Sequence, residues 1–477
     1  MKKADIGIYG LGVMGRNLAL NFNDHDFGVS AYNPNLPGEE DLAAAFASDE
    51  AAGTPIRTFD EVDSFVASLE RPRKILLMVK AGRPVDTVID QLIPLLDKKD
   101  ILIDGGNTHY SDTNRRLEML SQRDIRYIGM GVSGGEEGAR HGPSLMPGGD
   151  AEAWPVVQPF LESIAALSPD GGSCCAWMGP ESGGHFVKMV HNGIEYAIMQ
   201  LIAECYQLMR DGLHMENQAI ADTFDSWDSG LLNSYLLEIT TRIFNAEEEN
   251  GNLILDHILD RAGQKGTGRW TALAALELGI PLPLITESVF ARSISSFKDL
   301  RRQASEAFRS ATDEKREAID TTRLRQALLG GQLVAFAEGF WLLKAANEEF
   351  GWNIPFGKVA HTWSGGCIIR SALLQPIATS YRENPGLPHL LLAPAFRKIL
   401  DTAQEGWRSA ARFGVETGIP VPATAAALSH YDSLRTKRLP ANLIQAQRDY
   451  FGAHQYERLD RPGGTFFHTD WQEKGRE

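Results

Sequence analysis

The stretch Ile6-Gly7-Ile8-Tyr9-Gly10-Leu11-Gly12-Val13-Met14-Gly15-Arg16-Asn17-Leu18 decides the fold class. A short apolar run ends at Gly10, and a helical pattern opens at Arg16 and continues to Phe22. Between them stand three glycines in the spacing Gly-x-Gly-x-x-Gly. In a strand–turn–helix of this kind Gly10 permits the tight turn and Gly12 lets the backbone approach a pyrophosphate. Gly15 allows close helix–strand packing, and the helix N-terminus faces the anion. A plain turn with incidental glycines would give the same string. The strand before it, the helix after it and a second strand at 29–32 favour the dinucleotide reading.

Working outward, the end of the second strand should read the adenosine ribose, through Asp or Glu for a 2′-hydroxyl or a nearby Arg for a 2′-phosphate. It reads Asn33-Pro34-Asn35, then Glu39 and Glu40, and no Lys or Arg stands between Arg16 and Arg57. These residues leave NAD versus NADP open. Further apolar or β-branched runs at 74–79, 101–103 and 127–132, alternating with helical segments, predict a parallel doubly wound sheet, the Rossmann-like class of α/β domain. Beyond Gly179 strand signals stop, and Ala/Leu/Glu-rich stretches at 186–209, 271–278 and 331–350 read as long helices. The expected organisation is a dinucleotide-binding domain over 1–178, a large all-α domain over 179–436 and a polar, Gly-rich tail over 437–477 with a short helix at 442–450. Trp227-Asp-Ser-Gly-Leu-Leu-Asn-Ser234 and Trp363-Ser-Gly-Gly-Cys-Ile-Ile-Arg370-Ser371, each following a long helix, are consistent with an internal duplication.

The 477 residues carry 43% apolar and 23% charged side chains, a folded composition long enough for two or three domains. A net charge of −15 repels phosphate backbones, which argues against a nucleic-acid partner. The four cysteines Cys174, Cys175, Cys205 and Cys367 form no CxxC and no spaced Cys/His cluster, so neither a disulfide framework nor a metal site is expected. Met1-Lys2-Lys3 runs directly into the first strand without a signal-peptide core, and no long apolar span is apparent. A soluble, cytoplasmic protein with no membrane contact is expected.

Two turns follow predicted strands at the carboxyl edge of the sheet, where ligands bind: Asp104-Gly-Gly-Asn107 and Ser133-Gly134-Gly135. The Asn107 amide and the Ser133 hydroxyl can hold a hydroxyl or carboxylate, although either stretch alone could be a simple turn. The most informative run is His185-Phe-Val-Lys188-Met-Val-His191-Asn192-Gly-Ile-Glu195-Tyr196. Lys188, His191, Asn192 and Glu195 stand at i, i+3, i+4 and i+7, on one helix face. The remaining faces carry Phe186, Val187, Met189, Val190, Ile194, Tyr196, Ala197, Ile198 and Met199, which suggests burial nearly all round, so the polar stripe should line an enclosed cavity rather than meet bulk water. Desolvation there lowers a lysine pKa toward a base and keeps a carboxylic acid protonated as an acid. Gly263-Gln-Lys265-Gly-Thr-Gly268 lacks the Walker A order; it either sets Lys265 and helix-start amides on a phosphate or only caps a helix. Arg292, Arg448 and His454 are further cations whose spacing decides nothing.

These residues resemble the long-chain 6-phosphogluconate dehydrogenases, the decarboxylating enzymes of the pentose phosphate pathway. The resemblance runs through Gly10–Gly15, Val79-Lys80-Ala81-Gly82, Asp104–Asn107, 131–135, 143–149, 185–196, 262–268, 365–370 and 439–454. It implies oxidation of 6-phospho-D-gluconate at C3, loss of CO2 and formation of ribulose 5-phosphate, without a metal. It implies that Lys188 is the general base and Glu195 the acid. Asn107, Ser133, Gly134, Gly135, His191 and Asn192 would hold the sugar acid. Tyr196, Lys265 and Arg292 would hold the phosphate end, with Arg448 and His454 supplied by the partner of a homodimer through the C-terminal tail. The helical domain would then serve substrate binding and dimerisation. Cofactor contacts would come from Gly10, Leu11, Gly12, Val13, Met14, Gly15, Asn33, Pro34, Asn35, Val79, Lys80, Ala81 and Asn107.

The chain departs from the family at the ribose. Members that use NADP carry Asn-Arg-Thr or Asn-Arg-Ser where this chain has Asn33-Pro34-Asn35, and this segment is about four residues longer. NADP is the cofactor the resemblance implies, and the missing 2′-phosphate arginine makes NAD an alternative. Another 3-hydroxy acid dehydrogenase of the superfamily, or a catalytically silent nucleotide sensor, would share the fold; the 439–454 block and the intact Lys188 and Glu195 speak against each.

Overall fold

Strand β1 (Ile6–Tyr9) lies in the middle of a seven-stranded sheet of order β3-β2-β1-β4-β5-β6-β7, with β2 at Val29–Tyr32, β3 at Arg57–Phe59 and β4 at Lys74–Leu77. The remaining strands are β5 (Ile101–Asp104), β6 (Arg126–Ser133) and β7 (Ser144–Gly149). The computed structural model describes residues 2–35, 37–249, 251–308 and 319–474, so the last three residues of the expected tail lie outside the described residues. Alternate side chains of the strands enter cores on the two faces of the sheet. Ile8, Ile103 and Met130 pack with Leu18 and Phe22 on one face, and Tyr9, Leu102 and Tyr127 with Phe65 and Ile89 on the other.

The five expected strands are present, though the one expected at 74–79 stops at Leu77. Two further strands of this sheet escaped the sequence reading. β3 is Arg57-Thr58-Phe59, only half-buried and without an apolar run. β7, Ser-Leu-Met-Pro-Gly-Gly, has a turn-like composition, and it is antiparallel to β6, with Met130 opposite Pro147. Proline is tolerated there because β7 ends the order of paired strands. Its outer side takes bridges from Cys175 and Pro180, and the chain then enters the Gly183–Gln207 helix.

The two longest expected helices are found at Gly183–Gln207 and Thr321–Phe350; the second begins ten residues before the expected 331. The Thr321–Phe350 helix is long and apolar enough to span a bilayer by length and composition, which the sequence reading overlooked, but 83% of its apolar window is buried in the protein. It packs between the Gly183–Gln207 and Pro394–Thr417 helices. Buried carboxylates join this helical part. Glu338 accepts the N–H groups of Leu284 (3.0 Å) and Ile285 (2.9 Å), and Glu204 those of Ala423 and Thr424 (both 2.8 Å). Each acid thereby caps a helix that starts with proline, Pro283 or Pro422. The two Trp-initiated segments meet as well, through a bridge between Ser234 and Ser371.

By compactness the chain divides into Met1–Leu428 and Ser429–Glu477. In the second unit the Ala441–Gly452 helix is followed by a small hairpin, β8 (Tyr456–Glu457) with β9 (Phe466–Phe467). The Asp449 carboxylate organises it, accepting from the backbone of Gln455 (2.9 Å) and Thr469 (3.1 Å) and from the Trp471 indole (2.9 Å), with His468 Nδ1 at 3.0 Å.

Candidate active site

The glycine loop has the shape a dinucleotide needs. Gly10 has φ +100°, and a Cβ there would stand 2.6 Å from the Met78 carbonyl oxygen; a Cβ on Gly15 would strike the Gly10 carbonyl. Gly12 faces open space, with nothing near the position of a Cβ. It is the N-cap of the Val13–Asp24 helix and brings no side chain to cap it, so the first amides are free for an anion. Leu11 N–H donates to Asn33 Oδ1 (2.8 Å), tying the loop to the end of β2. Val13 and Met14 begin the helix, while Val79, Lys80 and Ala81 follow β4 at the same carboxyl edge. The residues present fit a nicotinamide dinucleotide.

Asn107 is exposed in the loop after β5. That loop is shaped by the buried Asp104, which accepts from Gly106 N–H (3.0 Å), the Thr108 hydroxyl (2.7 Å), the Tyr127 hydroxyl (2.8 Å) and Arg116 (3.3 Å). The Asp104 carbonyl lies 3.1 Å from His185 Nε2 on the Gly183–Gln207 helix, so the cofactor edge and that helix share a hydrogen bond.

The helix can approach β6 so closely because β6 offers backbone there. A Cβ on Gly131 would collide with the Lys188 side chain, and one on Gly129 would reach to 2.6 Å from His185 Nδ1. Lys188, His191 and Asn192 are consequently buried, whereas Met199, expected among the buried residues of this helix, is 41% exposed because it lies beyond the stretch that packs on β6. Lys188 Nζ stands 3.3 Å from His191 Nδ1, which is 3.0 Å from Asn192 Oδ1 and 3.8 Å from Glu195 Oε2. His191 Nε2 lies 3.1 Å from Ser133 Oγ and 2.8 Å from Cys367 Sγ. The expected polar face is thus one connected cluster, at whose edge 22% of the Glu195 side chain remains exposed.

Burial sets the protonation states. It pushes Lys188 below the usual lysine range, an effect that Glu195 opposes. It raises Glu195 above the usual carboxyl range, with Lys188 and Arg292 pulling the other way. His191, enclosed and beside Lys188, is held well down and is neutral. Desolvation therefore drives the Lys188 amine and the Glu195 carboxyl toward their neutral forms on one helix face.

At the far end of the cluster the Arg292 guanidinium lies over the Tyr196 ring at 3.5 Å and donates to the Gly263 carbonyl (3.5 Å), at the start of the loop that carries the exposed Lys265. Gly134 and Gly135, at φ +119° and +65°, lead from β6 into the short Gly135–His141 helix. Arg448 and His454 belong to the second compact unit, where Arg448 donates to Gln445 Oε1 (3.0 Å) and the His454 ring faces Phe451.

Two family models match the chain: residues 5–179 fit the NAD binding domain of 6-phosphogluconate dehydrogenase, and residues 184–471 its C-terminal domain. The chain belongs to the decarboxylating 6-phosphogluconate dehydrogenases. It is 50% identical to the Haemophilus ducreyi enzyme over 99% of this chain and 97% of that one. It is 50% identical to the Escherichia coli enzyme over 99% of this chain and 100% of that one, and 48% identical to the mouse enzyme over 100% and 98%. Among solved structures, Plasmodium falciparum 6-phosphogluconate dehydrogenase, described with NADP+ and with 6-phosphogluconate, superimposes with a TM-score of 0.93 at 39% identity, covering 98% of this chain and 100% of that one.

Within this family fold, two participants escaped the sequence reading. Cys367 lies in the 365–370 motif with no role evident from its neighbours, yet its thiol touches His191, and burial raises its pKa to about 11. Asp104 was read as a turn residue and is the hub of the Asn107 loop. The Cys367 role has no local sequence signature, because Cys367 meets His191 across 176 residues, whereas Asp104 is bound locally by Gly106 and Thr108 and at a distance by Arg116 and Tyr127.

Proposed function

We propose that this chain oxidises 6-phospho-D-gluconate and decarboxylates the product to D-ribulose 5-phosphate and CO2. The observation that carries it is the pair Lys188 and Glu195 on one buried helix face, driven in opposite directions from their ordinary pKa values. A nicotinamide dinucleotide, NADP in the Plasmodium relative, would supply the hydride acceptor for C3 from the glycine loop.

Neutral Lys188 takes the proton of the C3 hydroxyl as that carbon is oxidised. The resulting ammonium then donates to the 3-keto oxygen, and this hydrogen bond stabilises the electron pair released when the carboxylate leaves as CO2. Glu195, protonated, delivers its proton to C1 of the enediol. His191 and Asn192 orient the sugar hydroxyls with Ser133 and the Gly134-Gly135 backbone, and Asn107 reaches from the cofactor edge. Arg292, Tyr196 and Lys265 form the phosphate end of this chain.

Arg448 and His454 complete that end from a partner copy, with 437–477 acting as the tail that crosses between subunits, beyond a dinucleotide domain over 1–178 and a duplicated helical domain over 179–436. Exposed apolar side chains support an assembly: Leu443, Ile444, Tyr450 and Phe451 on the tail helix, and Leu276, Phe290, Phe297 and Phe308 on the helices before residue 309. A cytoplasmic homodimer is the corresponding reading.

The test is the initial rate of nicotinamide reduction with 6-phosphogluconate, with CO2 and pentulose phosphate measured as products. A bell-shaped dependence of kcat/KM on pH is expected, and Glu195→Gln should lose one limb of it. Full turnover by Lys188→Ala would sink the assignment. Truncation before residue 437 should leave the dinucleotide site intact and abolish turnover.

A further inference from the structure

The ribose corner, which the residues at 33–35 left undecided, is furnished by a carboxylate from further along the chain. Asn33 is buried at the end of β2, and its Oδ1 is occupied by the Leu11 amide. Its Nδ2 points the other way, to the Pro34 carbonyl (3.0 Å) and to Glu39 Oε2 (3.4 Å). The longer segment after β2 therefore folds Glu39 back onto the corner where a dinucleotide fold reads its adenosine ribose. Glu39 itself is exposed, so its carboxylate is accessible to a ligand. Beside it Glu40 accepts the Gly38 amide (2.9 Å), and its own backbone amide together with that of Gly38 holds its carboxyl below the ordinary range.

Among the described residues no cation pairs with either of these carboxylates at that corner. Arg16, on the first helix, is paired with Glu50. Arg57 begins β3 at the amino edge of the sheet, bound to Ser30 Oγ and the Ser68 carbonyl (both 3.4 Å). Lys80 follows β4, which is separated from β2 by β1, two strand spacings or about 10 Å away. A 2′-phosphate would meet carboxylates, whereas ribose hydroxyls could donate to one.

We infer that Glu39 is the specificity-determining residue of the dinucleotide site: it accepts the adenosine ribose hydroxyls and repels a 2′-phosphate, so that this chain prefers NAD to NADP. The inference rests on the dinucleotide-dependent function proposed above.

The experiment is a fluorescence titration of the full-length protein with NADH and, separately, NADPH in the absence of sugar substrate. NADH should bind roughly tenfold or more tightly than NADPH. Glu39→Gln should weaken NADH by about tenfold and narrow the ratio, because a charge-assisted acceptor is lost. If Glu39 only braces Asn33 and the glycine loop, both ligands weaken alike and the ratio stands, which overturns the inference. Pro34→Arg, independently, should strengthen NADPH by about tenfold and spare NADH. Tighter binding of NADPH by the unaltered protein overturns the inference and leaves the dinucleotide site standing; binding of neither overturns both.

Discussion

Glu195 and Glu204 stand on the same helix, and burial raises the pKa of both, yet they do different things. Glu204 is enclosed, and its oxygens take the amides of Ala423 and Thr424 and the Gln200 side chain (3.0 Å). Glu195 makes no hydrogen bond among the described residues and keeps 22% of its side chain exposed, with His191 at 3.8 Å. The difference teaches that burial alone does not make a catalytic acid. A carboxyl whose lone pairs are committed to backbone donors holds two helices together; one left uncommitted beside a base can exchange a proton with a ligand.

Substitution at Lys188 should have the largest effect. Lys188→Met should lower kcat by roughly 10²–10⁴-fold, the range of a lost general base, while thermal unfolding shows Tm unchanged or raised because an enclosed amine is gone. Glu195→Gln follows, with kcat down by about 10²-fold and Tm unaltered, read from the same steady-state and melting experiments. Glu204→Ala should do the reverse. Loss of its backbone-bound carboxylate removes about 2–4 kcal/mol of stability in denaturant titration, and kcat per folded molecule should remain as before. If Glu204→Ala instead abolished turnover without loss of stability, the division of labour on this helix would be wrong.

The smallest effect concerns a third carboxylate. At Asp449 burial again raises the pKa, but donors from His468, Trp471, Thr469 and Gln455 outweigh it and bring the value down to about 2. Its folded value lies below the ordinary 3.8, so its contribution to stability is present above that value and lost as pH falls through about 2. Hydrogen exchange of residues 441–471 should therefore accelerate between those limits, and Asp449→Asn should remove that dependence.

Much of this molecule is legible in short stretches. The glycine spacing at 10–15, the five apolar runs and the i, i+3, i+4, i+7 set from Lys188 to Glu195 follow from chain periodicity, which needs only neighbouring residues. β3 and β7 were not legible, since three half-buried residues and a Gly/Pro-rich strand have pairing partners but no pattern of their own. The same holds for the caps at Glu204 and Glu338, whose partners are helix starts far along the chain.

By itself the sequence determined a dinucleotide loop at the end of a strand, a buried helix carrying a lysine and a carboxylic acid on one face, and a helical second part. Tertiary structure decided which of those groups meet. It seated Lys188 against the bare backbone of Gly131, brought Cys367 to His191, made Asp104 the hub of the Asn107 loop and returned Glu39 to the end of β2. The physical reason is range. Periodicity orients side chains that are a few residues apart, whereas contacts across a loop or between domains exist only once close packing has excluded every other arrangement.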